Sequence, residues 1–579
     1  MAGAGGLKTY TPPVYRYSKP VELAGPPRHW PVIIVGAGPV GLTAAIDLAQ
    51  RGVDVLLLDE DDTVSVGSRA ICWSKRTLEV LDRLGCGESL VRKGVGWNVG
   101  RVYLRDDELF AFDLLPEPGH RRPAFINLQQ YYVEQFLVER AGELIGAELR
   151  WRHEVIEVKP EADRVAVRVS TPDGDYTVHA DWLIAADGAR SPVRALLGLE
   201  SEGQAFHDRF LIADVRLSSE FPAERRFWFD PPFHRNQSAL LHRQADNVWR
   251  VDFQLGWDVD PDEEKKPERV LPRVRAMLGE GVDFELEWAS VYTFQCRRMR
   301  SFRHGRVLFA GDAAHLVSPF GARGANSGIQ DIDNVVWKLE LVLAGLASER
   351  LLDSYDAERV PAADENIRHS SRSTDFITPK SRASRTFRDA VLALARRHAF
   401  ARRLVNSGRL SLPAVFVDSP LNTPDAGTFP GVLAPGTAAV DAPVQGGRGS
   451  WLLDYLGSGF TLLVFADGPP SDAVLRELEA LAADPIPCAS VIVGAPGAAP
   501  AAHRPIADPT CLLALRYDAR PGTVYLFRPD QHVCARWRSF DSARVRAAIA
   551  RATGQSISEA APCSTPNRTS PRPTTSIRS

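Results

Sequence analysis

The stretch VIIVGAGPVGLTAAIDLAQRGVDVLLLDED, from Val32 to Asp61, decides the fold of this 579-residue chain. An apolar strand is followed by three spaced glycines and a helical segment. A second apolar strand then ends in acidic residues. Gly36 permits a tight turn, Gly38 lets the backbone approach a pyrophosphate, and Gly41 lets the helix pack closely on the strand. The pattern therefore predicts a strand–helix–strand unit that binds a dinucleotide at the positive end of the helix.

The acids at the end of the second strand support this interpretation. Asp59 lies 18 residues after Gly41, and Glu60 follows it. An acid at this distance accepts hydrogen bonds from ribose hydroxyls. The pattern leaves two cofactors open, a nicotinamide that is used and released or a flavin that stays bound. A glycine-rich turn in an ordinary α/β domain is the structural alternative.

The composition narrows the class of protein. The 69 basic residues are balanced by 72 acidic ones, so no overall field attracts nucleic acid or an anionic membrane. No apolar run reaches the ~18 residues of a membrane span, and the polar, proline-rich N-terminus lacks the apolar core of a signal peptide. Seven scattered cysteines without a CxxC pair predict reduced thiols, no metal site and a cytoplasmic enzyme.

Residues 206–299 show a different periodicity of apolar residues. Apolar and polar residues alternate in VWRVDFQLGW at 248–257 and in FELEW at 284–288. Strict alternation with many aromatic residues predicts the strands of a half-buried antiparallel sheet. One face of that sheet would be free to cover a ligand.

A second glycine-rich segment bears on the choice of cofactor. GDAAHLVSPFGARGANSGIQD, from Gly311 to Asp331, follows a buried strand. Asp312 stands at the end of that strand, where a carboxylate can accept hydrogen bonds from a polyol chain. A helix is predicted to begin near Asn326, with its positive end facing whatever the loop holds. A flavin ring gains negative charge on reduction and benefits most from that position.

The sequence resembles the class A flavoprotein monooxygenases, the group of p-hydroxybenzoate and phenol hydroxylases. Three motifs carry the resemblance: Gly36–Gly41, DGARSPVR at Asp187–Arg194, and GDAAHLVSPFGARGANSG from Gly311. Secondary matches are SRAICWSKRTLEVLDRLG from Ser68, QYYVEQFL from Gln130, and YDAERVP from Tyr355. Together they cover about residues 30–365 in family order and spacing.

The resemblance implies FAD, bound without a covalent link, and assigns residues to it. Asp312 would bind the ribityl chain, the Gly321–Asn326 loop would hold the isoalloxazine, and Asp187 would lie near the pyrophosphate. The full predicted cofactor set is Gly36, Gly38, Gly41, Asp59, Glu60, Arg69, Gln130, Asp187, Gly311, Asp312, Gly324, Ala325 and Asn326. Asp59-Glu60 replaces the commoner Glu-Arg, and Arg323-Gly-Ala replaces the commoner Gln-Gly-Leu or Gln-Gly-Met. Neither exchange removes a side chain that the chemistry needs.

The resemblance also implies a reaction. Hydride from NADPH or NADH reduces FAD, O₂ adds to give a flavin C4a-hydroperoxide, and an electron-rich phenolic ring attacks its distal oxygen. No second strand–GxGxxG–helix unit is present in the sequence, because GVGWNVG at Gly94 has the wrong spacing. The nicotinamide donor is therefore expected to share the flavin site.

The catalytic candidates are Pro319, which the resemblance places near the reactive face of the flavin, and His315. A histidine beside the Gly-Asp pair is alternatively structural. Tyr292, Trp249 and Arg250 lie on the predicted antiparallel sheet, one face of which would cover the ligand. Aromatic residues on alternating strands, however, usually belong to the core. The sequence leaves open which residue polarises the phenol.

Two other functions remain open beside the preferred FAD-dependent aromatic hydroxylase. One is another flavin reaction on the same fold, such as oxidation, epoxidation or halogenation, although the WxWxI signature of flavin halogenases is absent. The other is a non-catalytic flavoprotein whose C-terminal domain is a binding module, which the intact FAD motifs disfavour.

The predicted fold is α/β, or α+β overall: a Rossmann-like FAD-binding domain interleaved with an antiparallel-sheet substrate domain, plus a thioredoxin-like C-terminal domain. The last domain is implied by a similarity to the longer branch, which includes 3-(3-hydroxyphenyl)propionate hydroxylase. The predicted ranges are an extended arm at 1–30, the FAD domain at 31–205 and 300–345, the substrate domain at 206–299, a helical segment and linker at 346–435, the thioredoxin-like domain without CxxC at 436–555, and a disordered tail at 556–579. The expected partners are a small aromatic substrate and, by default, a second copy in a homodimer.

Overall fold

The structure is a computed structural model that describes residues 7, 9–65, 67, 69–217, 221–405, 412–431, 433–494 and 500–555. Parts of several predicted ranges lie outside the described residues: the tail at 556–579, the start of the family match at Ser68, residues 1–6 and 8 of the arm, 218–220 of the substrate domain, 406–411 and 432 of the helical segment and linker, and 495–499 of the thioredoxin-like domain. In the part of the chain that is described, no helix is both long enough and apolar enough to cross a membrane.

The strands fall into three large sheets and one small one. In the first 200 residues they are β1 His29–Val35, β2 Val55–Asp59, β3 Cys72–Ser74, β4 Val95–Trp97, β5 Val99–Leu104, β6 Asp107–Asp113, β7 Phe125–Asn127, β8 Ala147–Trp151, β9 Glu154–Pro160, β10 Val165–Thr171 and β11 Gly174–Ala185. The middle of the chain holds β12 Glu202–Leu217, β13 Arg225–Phe229, β14 Ser238–Arg243, β15 Val248–Leu255, β16 Phe284–Arg298, β17 Arg303–His304, β18 Val307–Phe309 and β19 His315–Leu316. The C-terminal strands are β20 Gln445–Gly446, β21 Phe460–Phe465, β22 Cys488–Val493, β23 Ile506–Ala507, β24 Val524–Phe527 and β25 Val533–Trp537.

The helices connect and cover these sheets. Up to residue 300 they are α1 Pro39–Gln50, α2 Lys75–Arg83, α3 Gly87–Lys93, α4 Gln130–Gly142, α5 Pro192–Leu196, α6 Pro261–Glu264 and α7 Pro267–Leu278. The remainder are α8 Gly324–Leu343, α9 Asp353–Ile377, α10 Arg382–Ala395, α11 Ala399–Leu404, α12 Asp472–Ala482, α13 Leu512–Arg516 and α14 Ser542–Ala552.

The first sheet is the parallel one that the opening motif predicts. Its strand order is β17-β18-β11-β1-β2-β8, and β10 and β9 extend it beside β11. β18, β11, β1, β2 and β8 run parallel to one another. Because β18, β11 and β1 are neighbours, the loops at their carboxyl ends meet at one edge of the sheet, where α/β proteins bind their ligands.

The second sheet is the one predicted from the alternating pattern. Its order is β19-β16-β12-β15-β14-β13-β5-β6, and its pairs are antiparallel except for β13 with β5. The pair β5–β6 comes from within the range predicted for the FAD-binding domain, so a segment distant in sequence completes this sheet. Three short strands, β3, β7 and β4, form a separate small sheet.

The expectation that this second sheet is half-buried is wrong for its central strand. β15 is buried along nearly its whole length on both faces. Its side chains point alternately to the two faces of the sheet. Trp249, Val251 and Phe253 pack into an apolar core with α7, and the polar side chains between them point to the other face. That other face, which carries Arg250 and Asp252, lines a cavity instead of meeting bulk water.

The third sheet belongs to the C-terminal part of the chain. Its order is β20-β23-β22-β21-β24-β25. Its apolar face packs against Trp337 and Leu341 of α8, so α8 lies between the first and third sheets. Within the segment predicted as a linker, Leu421 and Leu433 are buried, whereas residues 424–428 between them are exposed. A thioredoxin-like fold for this part stays a prediction.

Candidate active site

One cavity of about 850 Å³ runs between the loops of the parallel sheet and the antiparallel sheet. Most of the predicted cofactor residues line it, as does one of the two catalytic candidates. The predicted residues at its wall are Gly36, Gly38, Asp59, Glu60, Arg69, Gln130, Asp187, Gly311, Asp312, Pro319, Gly324, Ala325 and Asn326. Two predicted residues, Gly41 and His315, are not part of the wall.

The three glycines of the first motif have three different surroundings. A Cβ on Gly36, whose φ is +104°, would lie 2.6 Å from the carbonyl oxygen of Ala186. A Cβ on Gly41 would lie 1.9 Å from the carbonyl oxygen of Gly36, so this glycine lets α1 pack against the loop. A Cβ on Gly38 would meet nothing within 4 Å and would enter the cavity in front of the α1 N-terminus.

Asp59 organises the glycine loop. Its Oδ2 accepts a hydrogen bond from the backbone N–H of Ala37 (2.5 Å), and its Oδ1 accepts one from Asp61 (2.9 Å). Burial raises the pKa of Asp59 to about 6. Its neighbour Glu60 is exposed at the cavity wall. Sequence reasoning assigned a ribose contact here and missed the contact between Asp59 and the loop.

Asp187 and Arg194 join the second loop to its neighbours. Asp187 accepts a hydrogen bond from the N–H of Val193 (2.8 Å), and its other carboxylate oxygen is buried at the cavity without a protein partner. Arg194 donates to the carbonyl of Ala313 (2.7 Å). The DGARSPVR motif therefore ties the loop after β11 to the loop after β18.

The third loop presents Asp312 to the cavity. The N–H of the preceding Gly311 donates to Asp331 (3.0 Å), which fixes the backbone of the turn. The Asp312 side chain is open to the cavity. Desolvation by the surrounding protein raises the pKa of its carboxyl group. α8 begins at Gly324, two residues before the predicted start, and Asn326 ties it to β3 through the carbonyl of Cys72 (2.9 Å).

The structure places His315 behind this loop. Its side chain is 1% exposed, and its Nε2 lies 2.6 Å from Asp331, which also accepts a hydrogen bond from Arg359 (2.7 Å). His315 therefore contacts the buried side of α8 and does not reach the cavity, whereas Pro319 does. Trp249, a further sequence candidate, faces the core on the opposite side of the sheet.

The far end of the cavity has an apolar wall and a polar roof. Phe210, Phe294 and Phe320 form an edge-to-face cluster with ring centroids 4.9–5.4 Å apart. The sequence candidates Arg250 and Tyr292 lie in the roof, and so do three residues that sequence reasoning did not select: Arg225, His242 and Asp252. The alternation along β15 could have identified Asp252 as a further candidate, because residues 250 and 252 lie on the same face of the strand.

The residues along the cavity fit a flavin dinucleotide. The open space at Gly38 and the free N–H groups at the start of α1 suit a pyrophosphate. The unpartnered oxygen of Asp187 and the carboxylate of Asp312 suit hydroxyl donors. The loop at the α8 N-terminus suits a ring that becomes negatively charged. Within the described residues, no cluster of His, Cys, Asp and Glu has the form of a metal site.

Comparison with known proteins agrees with this chemistry. A family model described as the FAD binding domain matches residues 29–370, and the chain belongs to that family. The protein is a flavin-dependent monooxygenase, and the predicted resemblance to the flavoprotein aromatic hydroxylases is confirmed.

Two relatives illustrate the similarity. The chain is 32% identical over 560 residues to a 6-methylpretetramide 4-monooxygenase of Streptomyces rimosus, covering 89% of this chain and 92% of that protein. It is 28% identical over 523 residues to a 3-(3-hydroxy-phenyl)propionate/3-hydroxycinnamic acid hydroxylase of Mycolicibacterium smegmatis, covering 86% and 89%.

Solved structures share the fold over nearly the whole chain. The flavin-dependent monooxygenase PieE, solved with FAD and substrate, has a TM-score of 0.78 at 24% identity and covers 92% of this chain and 100% of its own. Aklavinone-11 hydroxylase, solved with FAD and aklavinone, has a TM-score of 0.72 at 22% identity and covers 91% and 99%.

Proposed function

We propose that the protein uses NADPH or NADH and O₂ to hydroxylate a phenolic aromatic substrate at its FAD. One observation carries the proposal: a single cavity connects the dinucleotide motif with a chamber that has an aromatic wall and a cationic roof. FAD, when bound, supplies the activation of O₂ after its own reduction. The side chains described below bind, orient and exclude water.

We assign the cofactor as follows. The pyrophosphate lies at Gly38 and the α1 N-terminus, with the free oxygen of Asp187 beside it. Glu60 is the acid that is open to the adenosine ribose, because both oxygens of Asp59 already accept backbone N–H groups. Asp312 accepts from the ribityl hydroxyls. Gly324–Asn326 would hold the ring, with Pro319 beside it at the cavity wall.

The substrate occupies the chamber next to that ring. Phe210, Phe294 and Phe320 exclude water and offer edges to an aromatic ring. Water exclusion matters because reactive oxygen species formed at a flavin are otherwise lost to side reactions. The charged roof orients the polar substituents of the substrate.

The nicotinamide donor uses the same cavity. The βαβ unit at Val32–Asp61 is the one dinucleotide motif of the sequence, and the cavity wall already contains it. The reductant would therefore bind in the same cavity as the flavin.

The experiment that tests this function is a screen of phenols for stimulated NAD(P)H oxidation by the FAD-loaded protein. Because relatives are named for 6-methylpretetramide and 3-(3-hydroxyphenyl)propionate, the panel should contain both polycyclic phenols and phenolic acids. The expected result is stimulated oxidation and a product that carries one oxygen atom from ¹⁸O₂. Stimulated oxidation with an oxidised product that lacks ¹⁸O would instead indicate a flavin oxidase or dehydrogenase reaction.

A further inference from the structure

A row of ionisable side chains crosses the roof of the cavity. His242 on β14 stands opposite Arg250 on β15. Arg225 on β13 precedes Arg226, the partner of Leu241, and so stands on the other side of His242. Asp252 lies two residues beyond Arg250 and therefore on the same face. These four side chains, the roof cluster, all line the cavity.

The roof cluster has hydrogen-bonding capacity that the protein does not use. Arg250, 4% exposed, donates its Nε–H to Asp214 (3.2 Å) and an Nη1–H to the carbonyl of Arg69 (3.0 Å), and its Nη2 has no partner. Nδ1 of His242, which is 3% exposed, and Oδ1 of Asp252 also have none. Leaving a buried polar atom unpaired is costly, and all three atoms belong to residues that line one cavity, which indicates a ligand with complementary groups.

The geometry points to a specific role for this cluster: we propose that Asp252 is the base that accepts the proton of the substrate's ring hydroxyl, and that Arg250 and Arg225 hold the resulting oxyanion. The O–H bond breaks, the proton passes to the Asp252 carboxylate, and the bonding electron pair stays on the phenolic oxygen. That pair raises the electron density of the ring carbon to be hydroxylated. The assignment rests on the proposed function, because it names the residues of its phenol step.

The charges around Asp252 are consistent with a base that works near neutral pH. Burial raises its pKa to about 6, against the lowering effect of Arg250 and Arg225 and with a raising effect from Asp214. Burial and the two guanidinium groups hold the pKa of His242 well below its usual range, so His242 is neutral. Among the described residues, Arg250, Arg225 and Asp214 act electrostatically on Asp252, the His242 ring and the Cys72 thiol lie near the same guanidinium groups, and Tyr292 lines the same cavity.

The neutral His242, the arginines of the cluster and the nearby Cys72 thiol cannot take the proton near neutral pH. Burial raises the pKa of the Cys72 thiol to about 11, so this group stays protonated. Arginines remain charged and act as donors only. Asp252 is ionised above pH ~6 and so is the proton acceptor of the set. The two guanidinium groups offset the high pKa of a phenol, ordinarily ~10, by stabilising its anion.

The test compares the FAD-loaded wild type with Asp252→Asn, Asp252→Glu and the control Asp258→Asn, an exposed acid just beyond the end of β15. The probe is 4-nitrophenol, whose anion has its own absorbance band. Because Arg225 and Arg250 remain in every variant, we expect all four proteins to shift the bound probe toward its anion. FAD content should be equal in all four proteins, which shows that the variants fold.

Turnover supplies a second readout. With the phenol that the screen selects, Asp252→Asn should form product at least tenfold more slowly while NAD(P)H still reduces its FAD, and product formation by wild type should fall as the pH drops below about 6. Product formation by Asp252→Asn at the wild-type rate would overturn the assignment of Asp252, and a neutral probe in wild type would overturn the role of the two guanidinium groups. Failure of NAD(P)H to reduce the FAD of wild type would refute the proposed function instead.

Discussion

Gly38 and Gly41 stand three residues apart, one just before α1 and the other in its first turn, yet a methyl group would have opposite effects at the two positions. At Gly38 it would enter open space at the cavity, and the backbone φ of −74° suits alanine. At Gly41 it would collide with the carbonyl of Gly36, and backbone would have to move. One glycine is therefore needed for the ligand and the other for the fold.

We predict that Gly38→Ala lowers FAD affinity at least tenfold and leaves the melting temperature of the FAD-free protein unchanged. Gly41→Ala should lower that melting temperature, because α1 must shift away from the loop. The two variants are each other's control, and the measurements are a fluorescence titration with FAD and thermal unfolding. A Gly38→Ala protein with wild-type FAD affinity would move the pyrophosphate away from this loop.

The proposed contact of Asp312 with the ribityl chain makes a second prediction. A hydrogen bond to a charged acceptor contributes about 1.5–3 kcal/mol, so Asp312→Ala should weaken FAD binding roughly ten- to a hundredfold and purify largely without flavin. Asp262→Ala, which removes an acid whose side chain is 82% exposed, is the control. Full FAD occupancy of Asp312→Ala under the same purification would contradict the assignment.

At the scale of elements, α8 has a role that its sequence does not display. Its N-terminus faces the cavity, while its buried Asp331 binds the turn before Asp312 and the ring of His315. Although burial by itself raises it, His315 and Arg359 hold the pKa of Asp331 below its usual value, so this carboxylate is ionised. The helix thus holds the Asp312 loop in place through a buried ion network.

We therefore predict that His315→Ala destabilises the protein and does not remove a catalytic group. The loss of a partner for buried Asp331 should cost about 1–3 kcal/mol, seen as a lower urea midpoint of unfolding. Product formation per bound FAD should stay within about twofold of wild type. Loss of product formation at unchanged stability would restore His315 to the catalytic residues.

The contrast between elements shows what could be predicted from sequence. The Gly36–Gly41 loop depends on contacts within one βαβ unit, so its residue types and spacing were sufficient. The roof cluster depends on which strands are neighbours: Arg225 and Asp252 lie 27 positions apart and meet only because β13, β14 and β15 pair in order. The period of two assigns a residue to a face but does not say whether that face meets water or a cavity.

At the scale of the whole molecule, a buried charge network joins the third sheet to the helices of the active site. Lys338 on α8 donates to Glu358 on α9 (2.8 Å), and Arg528, just after β24, contacts Glu358 and Asp530 at 2.5 Å each. The four side chains of the network are fully buried. The homodimer expected from the sequence stays a prediction. The contact of the third sheet with α8 is made within one chain.

The network makes it possible to predict how Arg528 contributes to the free energy of unfolding of the protein. Burial alone would raise the pKa of Glu358, but Arg528 and Lys338 hold it well below its usual range. A carboxylate with a lowered pKa stabilises the folded state above its unfolded value of ~4.3 and loses that contribution as the pH falls through the folded value. Charge at Glu358 thus favours folding only while its cationic partners are present.

We predict that Arg528→Met lowers the free energy of unfolding by about 3–5 kcal/mol at pH 7, because Glu358 and Asp530 lose their shared cation. Arg544→Met, on the exposed side of α14 with 56% of its side chain accessible, is the matched control and should be neutral. Urea unfolding at a series of pH values measures the effect, which should be full at pH 7 and shrink below pH ~4 as the carboxylates become protonated in both proteins. If Arg528→Met unfolds at the wild-type urea concentration at pH 7, then the apolar packing of the third sheet on Trp337 and Leu341, and not this network, holds that sheet against α8.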